Sequence, residues 1–182
     1  KVLGFKSRAA FKLIELNEKF NFIKKNTKIL DVGSSPGGWS QVSSKIITNG
    51  KILAIDKKPM ESIKNVNFLN EDFLNVNVKN KIFEEFKGKI DVVISDMAAD
   101  TTGNKSVDCI RTNNLCSEVI NFSLNILKNK GSLIAKLFMG EDFIEVKNLA
   151  KKCFKKVEFY KPKSSKKESK ETYIICSTLN TL

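Results

Sequence analysis

The stretch ILDVGSSPGGW, from Ile29 to Trp39, decides the fold of this chain. A short apolar run ends in Asp31 and Gly33, and a loop rich in serine and glycine then leads into a helix that we predict to begin near Trp39. Glycines let a backbone approach a ligand closely, because they carry no Cβ. A strand, a glycine loop and a helix in this order predict a ligand site at the edge of a parallel sheet.

The rest of the chain alternates short β-rich runs with longer amphipathic stretches, which is typical of α/β proteins. The predicted strands are Lys28–Val32, Ile52–Ile55, Val66–Leu69, Ile90–Ser95, Ser132–Phe138, Val157–Tyr160 and Thr172–Ser177. The predicted helices are Ser7–Phe20, Trp39–Thr48, Asn80–Phe86, Arg111–Leu127 and Asp142–Phe154. We therefore predict a doubly wound, Rossmann-like α/β fold with a seven-stranded, mostly parallel sheet and helices on both faces.

The last two strands are joined by about a dozen residues, which is too few for a helical crossover, so we predict an antiparallel hairpin. A reversed last strand begins at the edge where its parallel neighbours end. This brings the loop KPKSSKKESKE, residues 161–171, to the predicted ligand edge.

Composition indicates a single domain over residues 1–182, since 182 residues with 41% apolar content can fill one core. The sequence opens on Lys1, so we expect that N-terminal residues before it are missing. We expect a cytoplasmic protein, because no apolar run approaches the ~20 residues of a membrane span and the first residues lack a signal pattern. A monomer is the default expectation.

The net charge of +12 indicates a polyanionic partner, and its distribution favours a surface that faces nucleic acid over a generic lysine excess from an AT-rich genome. Between Lys147 and Lys170 there are ten lysines against Glu158 and Glu168. The candidate RNA-binding residues are Arg8, Lys161, Lys163, Lys166, Lys167 and Lys170.

The chain contains no histidine, and its four cysteines show no CxxC pair, so we expect no metal site. Ser-His and Cys-His nucleophile arrangements are also excluded. Any proton transfer must therefore rest on Asp, Glu, Lys or Tyr.

The glycine loop reads GxxPGG, which disfavours a nicotinamide dinucleotide, because the dinucleotide fingerprint reads GxGxxG. Asp56 closes the second strand, where a carboxylate can accept both ribose hydroxyls, and Asp72 follows the third strand. Each acid alone also suits a turn or cap. Together with the loop they predict an adenosine pocket.

Lys136 lies in the apolar run LIAKLFM, in a strand that we expect to be buried on both faces. Burial disfavours a charged amine, so Lys136 could accept the proton of an attacking hydroxyl, although it could also reach solvent from the strand end. Asp96 ends the fourth strand at the same edge, within ion-pair reach of Lys136 in the usual strand order, or simply begins a loop. By pattern alone, Lys12 suits a solvated lysine and Glu171 a surface glutamate.

The ordered motifs SRAAFKL, DVGSSPGGWSQV, AIDKKPM, NEDF, VVISDMA, LIAKLFMGE and SKETYIIC resemble those of the FtsJ-like (RlmE-type) 23S ribosomal RNA 2′-O-methyltransferases over nearly the whole chain. The resemblance implies a methyltransferase fold, S-adenosylmethionine as cofactor, and a catalytic tetrad of Lys12, Asp96, Lys136 and Glu171. Its implied cofactor residues, with those of the loop, are Gly33, Pro36, Gly37, Gly38, Trp39, Asp56, Asp72 and Asp96. The family commonly has AAPGGW and SDMAPN where this chain has SSPGGW and SDMAAD, so Ala99 and Asp100 bear on local loop geometry.

The resemblance implies methyl transfer to a ribose 2′-OH, most simply of a uridine of 23S ribosomal RNA in the assembled large subunit, with Lys136 as base or oxyanion stabiliser. Transfer RNA or another RNA as acceptor stays open, as does a non-catalytic RNA-binding assembly factor. Methylation of cytosine C5 would need a nucleophilic cysteine at the active edge, and Cys109 and Cys116 belong to the predicted helical side. Enzymes that methylate an exocyclic amine resemble one another in a different motif after the fourth strand, an Asn or Asp followed by two prolines and an aromatic residue. The segment SDMAAD does not supply this motif.

Overall fold

The structure, a computed structural model, describes residues 4–140 and 142–180. Its helices are α1 (Ala9–Phe20), α2 (Gly38–Ile46), α3 (Val76–Phe86), α4 (Lys105–Ile126) and α5 (Phe143–Cys153). Its strands are β1 (Lys28–Val32), β2 (Lys51–Ile55), β3 (Val66–Leu69), β4 (Ile90–Ser95), β5 (Leu127–Phe138), β6 (Phe154–Tyr160) and β7 (Glu171–Leu179). No helix within the described ranges is long and apolar enough to span a membrane.

The seven strands form one sheet in the order β3-β2-β1-β4-β5-β7-β6. Strands β1 to β5 pair in parallel, whereas β7 lies between β5 and β6 and is antiparallel to both. The predicted fold class and the reversed last strand are both confirmed. The winding direction changes between β1 and β4, and ligands of such sheets bind in the crevice at that point.

Helices cover both faces of the sheet, because successive strand residues point to opposite sides. Ile29 packs into the cluster that holds Leu13 of α1 and Val42 of α2. Leu30 packs on the other face with residues of α3, α4 and α5. The strands therefore read as continuous apolar runs, and Asp31, in the middle of such a run, is a buried exception.

Two helices begin at least four residues earlier than predicted, and each begins behind an asparagine cap. Helix α3 begins at Val76 rather than Asn80, because Asn75 Oδ1 accepts the Asn77 N–H at 2.9 Å. Helix α4 begins at Lys105 rather than Arg111, because the Asn104 side chain accepts two N–H groups of the first turn. These bonds satisfy donors that the first turn of a helix leaves unpaired.

Two strands are also longer at their amino ends by three or more residues than predicted. Strand β5 begins at Leu127 instead of Ser132, and β6 begins at Phe154 instead of Val157. Each added segment carries exposed lysines, so hydropathy alone did not mark it as a strand. The binding edge lies at the other end of both strands, so these differences do not affect the site.

Candidate active site

A cavity of about 440 Å³ opens at the carboxyl edge of the sheet. It is lined by the ends of β1, β2 and β4, by the start of the β3–α3 connection, and by Arg111, Asn114 and Leu115 of α4. Among the predicted cofactor residues, the lining includes Gly33, Asp56, Asp72 and Asp96. The structure thus brings three acidic side chains and the first loop glycine into one space.

Asp56 is fixed by the loop that it faces. Its Oδ2 accepts the Ser35 N–H at 2.9 Å and its Oδ1 accepts the Lys58 N–H at 2.8 Å. Asp72 Oδ1 accepts the Leu74 N–H at 2.9 Å in the same way. Both carboxylates keep further acceptor capacity toward the cavity, since an ionised carboxylate has about four lone-pair sites.

Gly33 and Gly38 allow close contacts that a larger residue would block. Gly33 has φ +76°, and a Cβ there would lie 2.2 Å from Met97 Cγ. A Cβ at Gly38 would lie 2.2 Å from Ser7 Oγ and 3.3 Å from the Ala10 nitrogen. The loop therefore packs tightly against the β4 loop on one side and against the start of α1 on the other.

Four of the eight predicted cofactor residues do not line this cavity. They are Pro36, Gly37, Gly38 and Trp39. The Trp39 side chain is buried, and its Nε1 donates to the Ala9 carbonyl at 2.9 Å. Its ring centroid lies 5.6 Å from that of Tyr173. The indole therefore joins α1, α2 and β7 inside the core.

Asp31 supplies an observation that fits a cationic ligand. Its side chain is fully buried, Oδ2 accepts from Ser40 Oγ at 2.6 Å, and Oδ1 has no hydrogen-bond partner. Burial, with a further contribution from the carboxylates of Asp96 and Asp56, raises the pKa of Asp31 to about 7 despite the Ser40 bond. A buried acceptor without a partner beside two other acids suits a ligand with positive charge, as the sulfonium and amino groups of S-adenosylmethionine provide.

Lys136 and Asp96 form the centre of a second cluster, next to the cavity. Lys136 Nζ lies 2.9 Å from Asp96 Oδ1 and donates to the Asp96 backbone carbonyl at 3.0 Å. The exposed fractions of the two side chains are 10% and 17%. The expected juxtaposition across neighbouring strands β4 and β5 is present, and Lys136 does not extend freely into solvent.

Glu171 and Lys12 complete the cluster. Lys12 Nζ lies 2.6 Å from Glu171 Oε1, and Lys136 Nζ lies 3.7 Å from Glu171 Oε2. Burial would raise the pKa of Glu171, but hydrogen bonding to Lys12 and the charges of Lys136 and Lys12 outweigh it and lower that pKa. All four residues of the predicted tetrad are therefore in one ion-pair network.

Tyr173 is a residue of this cluster that the sequence interpretation missed. Its hydroxyl donates to Asp96 Oδ1 at 2.6 Å, and it pairs with Lys136 in the β5–β7 register. Burial and the neighbouring carboxylate of Asp96 raise its pKa well above the ordinary value for tyrosine. The available signal was its position two residues after Glu171, which places both on one face of the strand.

The predicted RNA-binding residues lie on the exposed surface near this edge. Arg8 precedes α1, and the lysines lie on the loop between β6 and β7, residues 161–170. The Lys161 amine bonds to the Lys167 and Ser169 carbonyls within that loop. The Lys161 side chain thus has contacts within the loop, whereas Lys163, Lys166, Lys167 and Lys170 are exposed and make contacts through their backbone atoms.

Known proteins resemble this chain over nearly its whole length. The model of the FtsJ-like methyltransferase family matches residues 5–179. The ribosomal RNA large subunit methyltransferase E of Pelagibacter ubique is 46% identical over 176 residues, which cover 97% of this chain and 87% of that protein.

Two solved structures are also similar. A Plasmodium falciparum protein described as a ribosomal RNA methyltransferase has a TM-score of 0.84 and 35% identity, with 96% of this chain and 98% of that one covered. A Streptococcus mutans methyltransferase solved with SAH has a TM-score of 0.59 and 16% identity, covering 93% and 95% of the two chains, which shows the shared fold. The family match and the 46% identity give the conclusion that this chain belongs to the FtsJ-like methyltransferase family, whose methyl donor is S-adenosylmethionine.

Proposed function

We propose that this chain methylates a ribose 2′-OH of 23S ribosomal RNA, at a uridine, in the assembled large subunit. The observation that carries the proposal is the position of the Lys136 amine, between Asp96 and Glu171 at the edge of the cofactor cavity. The Pelagibacter relative is named a ribosomal RNA large subunit methyltransferase, which supports the same acceptor.

Lys136 is the residue that we assign to the acceptor oxygen. A hydroxyl that attacks a methyl carbon must lose its proton, and its oxygen carries negative charge while it does so. An amine at this position either takes that proton or balances that charge. Three acceptors surround Nζ: two oxygens of Asp96 at 2.9 and 3.0 Å, and one of Glu171 at 3.7 Å. They hold the amine in one orientation, which is the main contribution a positioned group makes to catalysis.

The remaining residues of the tetrad orient Lys136 through its partners. Lys12 contacts Glu171, and Tyr173 contacts Asp96, so each carboxylate is held from two sides. Besides Lys136, Asp96 thus keeps a neutral hydroxyl as a hydrogen-bond donor, and Glu171 keeps a second ammonium group. We assign Lys12, Asp96 and Glu171 to the catalytic site on this basis.

Asp56, Asp72 and the glycine loop are the residues that would hold the cofactor. Asp56 suits the ribose hydroxyls and Asp72 the adenine edge, because both line the same cavity with free acceptor capacity. We assign the methionine part to Asp31 and the backbone of residues 36–39, which neighbour Gly33 and Ser35 of the cavity lining along the chain. S-adenosylmethionine, when bound, supplies an electrophilic methyl group on sulfur.

The RNA surface in this proposal consists of Arg8 and the lysine-rich loop. Exposed lysines contact the phosphates of RNA and do not distinguish one base from another, since contacts to phosphate carry no sequence information. Recognition of a particle by its shape accounts for specificity better than recognition of a free strand. We also propose one domain, a monomer, and a cytoplasmic location, where the large subunit is found.

A panel of acceptors tests this function. Tritiated cofactor is incubated with transfer RNA, free ribosomal RNA, isolated large subunits and intact ribosomes, and the methylated position is mapped. We expect label at one ribose 2′-oxygen of large-subunit RNA, with isolated large subunits as the best acceptor. Label on transfer RNA alone, or on a base nitrogen or carbon, would overturn the proposal.

A further inference from the structure

One carboxylate holds the lysine-rich loop to helix α1. Glu15 Oε2 accepts the Lys163 N–H at 2.6 Å, and Glu15 Oε1 accepts the Ser164 N–H at 2.9 Å. Glu15 follows Lys12 by three positions, so the two side chains lie on one side of the helix. Helix α1 therefore fixes both a lysine of the tetrad and the loop that precedes Glu171.

Ser165, the next residue of that loop, contacts the tetrad directly. It is 6% exposed, and its Oγ donates to Glu171 Oε1 at 2.9 Å. This is the oxygen that lies 2.6 Å from Lys12 Nζ. With Oε1 held by Ser165 and Lys12, Oε2 is the oxygen that faces Lys136, at 3.7 Å.

We propose that Ser165 is a positioning residue of the methyl-transfer reaction: it fixes the Glu171 carboxylate so that the carboxylate in turn orients the Lys136 amine. The inference rests on the proposed function, because it assumes that the tetrad acts on the acceptor oxygen. A glutamate side chain has several rotamers, and a charge-assisted hydrogen bond from a buried hydroxyl selects one of them. Glu15 supports this role, since it anchors the backbone immediately before Ser165.

The direct comparison is between Ser165→Ala and Ser165→Thr, since threonine keeps the hydroxyl. Ser123→Ala is the matched control, because Ser123 is also buried and its Oγ donates to the Val119 carbonyl at 2.7 Å within α4, away from the site. For each variant, kcat, KM for the RNA acceptor, the cofactor dissociation constant and the thermal midpoint are measured.

We expect Ser165→Ala to lower kcat about tenfold, the typical effect of losing a hydrogen bond to a charged group. The KM for RNA and the cofactor dissociation constant should stay unchanged, and Ser165→Thr should restore most of kcat. The acid limb of the pH–kcat profile should move to higher pH, because the Ser165 bond lowers the pKa of Glu171. Ser123→Ala should change only the thermal midpoint.

A Glu171→Gln background separates this inference from the proposed function. There, adding Ser165→Ala should cause no further loss of kcat, since Ser165 acts through the carboxylate. A wild-type kcat and pH profile in Ser165→Ala, with activity lost in Glu171→Gln, would overturn the role of Ser165 alone. Full turnover in Glu171→Gln would instead overturn the tetrad on which the proposed function depends.

Discussion

The hydroxyl of Tyr173 lies 2.6 Å from Oδ1 of Asp96. The same oxygen lies 2.9 Å from Lys136 Nζ, so a tyrosine and a lysine share one carboxylate oxygen. Because Tyr173 also packs against Trp39, the relationship connects the glycine-loop helix with the ion-pair cluster around Lys136.

Tyr173→Phe removes the hydroxyl and keeps the ring. Asp96 Oδ1 retains Lys136 as a partner, so no buried acceptor is left unpaired, and we expect kcat to fall only about three- to tenfold. Cofactor binding should change less than about twofold, because the ring still packs against Trp39. Single-turnover methyl transfer and calorimetry measure the two effects separately. A tenfold loss of cofactor affinity with unchanged kcat would contradict the assignment of Tyr173 to the catalytic cluster.

Asp31→Asn tests the buried carboxyl through stability. Burial raises the pKa of Asp31 to about 7, so the folded protein keeps the carboxyl proton up to about that pH. The ordinary pKa of an aspartate side chain is 3.8. Between these values the unfolded chain has released that proton, so Asp31 makes the wild type less stable as pH rises through this window. We expect the stability of Asp31→Asn relative to wild type to increase from pH 4 to pH 8. Chemical denaturation measures the free energy of unfolding of both proteins at pH 4 and pH 8. The same difference between variant and wild type at the two pH values would contradict this prediction.

Asp31→Asn should also weaken cofactor binding, because it removes a buried negative charge from the ligand edge. The two effects therefore have opposite signs: gained stability and lost affinity at pH 8. A gain in stability with a loss of ligand affinity is common when a residue that destabilises the fold is replaced in a functional site.

Asp100 is one of the positions, with Ala99, at which this chain departs from the common family motif. Its Oδ2 lies 3.4 Å from Lys57 Nζ and its Oδ1 lies 3.4 Å from Lys58 Nζ, at the rim of the cavity. These groups are exposed, so their pairs are weak and screened by salt. We expect Asp100→Asn to raise the rate of cofactor dissociation about twofold at low salt and not at all at about 1 M salt. A salt-independent change would show that Asp100 acts through loop geometry instead.

The lysine-rich loop should contribute affinity for RNA and not the chemical step. The double variant Lys166→Ala/Lys167→Ala should raise KM for the large subunit and reduce its salt dependence, with kcat under saturating substrate unchanged. The control is Lys24→Ala/Lys25→Ala, an equal charge change on two exposed lysines in the connection between α1 and β1. Equal effects of the two pairs would indicate a general charge effect and no specific surface.

Much of the site was predictable because its polar residues come directly after the apolar strands. Asp56, Asp72 and Asp96 each follow an apolar strand, and parallel strands bring such ends to one edge. Lys136 was predictable because a charge in a buried strand requires a partner. The pattern of α1, by contrast, indicated only a solvated Lys12, and resemblance to the family was needed to place it in the tetrad.

The contacts of the β6–β7 loop could not be predicted from the sequence. Glu15 and Ser165 meet their partners only after the reversed β7 returns to α1, and neither lies in a periodic apolar pattern. Tyr173 was predictable in principle, because the two-residue period of β7 places it beside Glu171. Asn75 and Asn104 also carried a readable signal, since asparagine is a preferred residue at a helix N-terminus.

Lys136→Met removes the amine that we propose acts on the acceptor oxygen. Methionine keeps most of the side-chain volume, while Asp96 keeps its bond from Tyr173 and Glu171 keeps its contact with Lys12. Lys130→Met, on an exposed residue of the same strand, is the control. We expect single-turnover methyl transfer to the large subunit to fall by about a thousandfold or more, with the cofactor dissociation constant within about twofold of wild type. Turnover near the wild-type rate in folded, cofactor-bound Lys136→Met would contradict the claim.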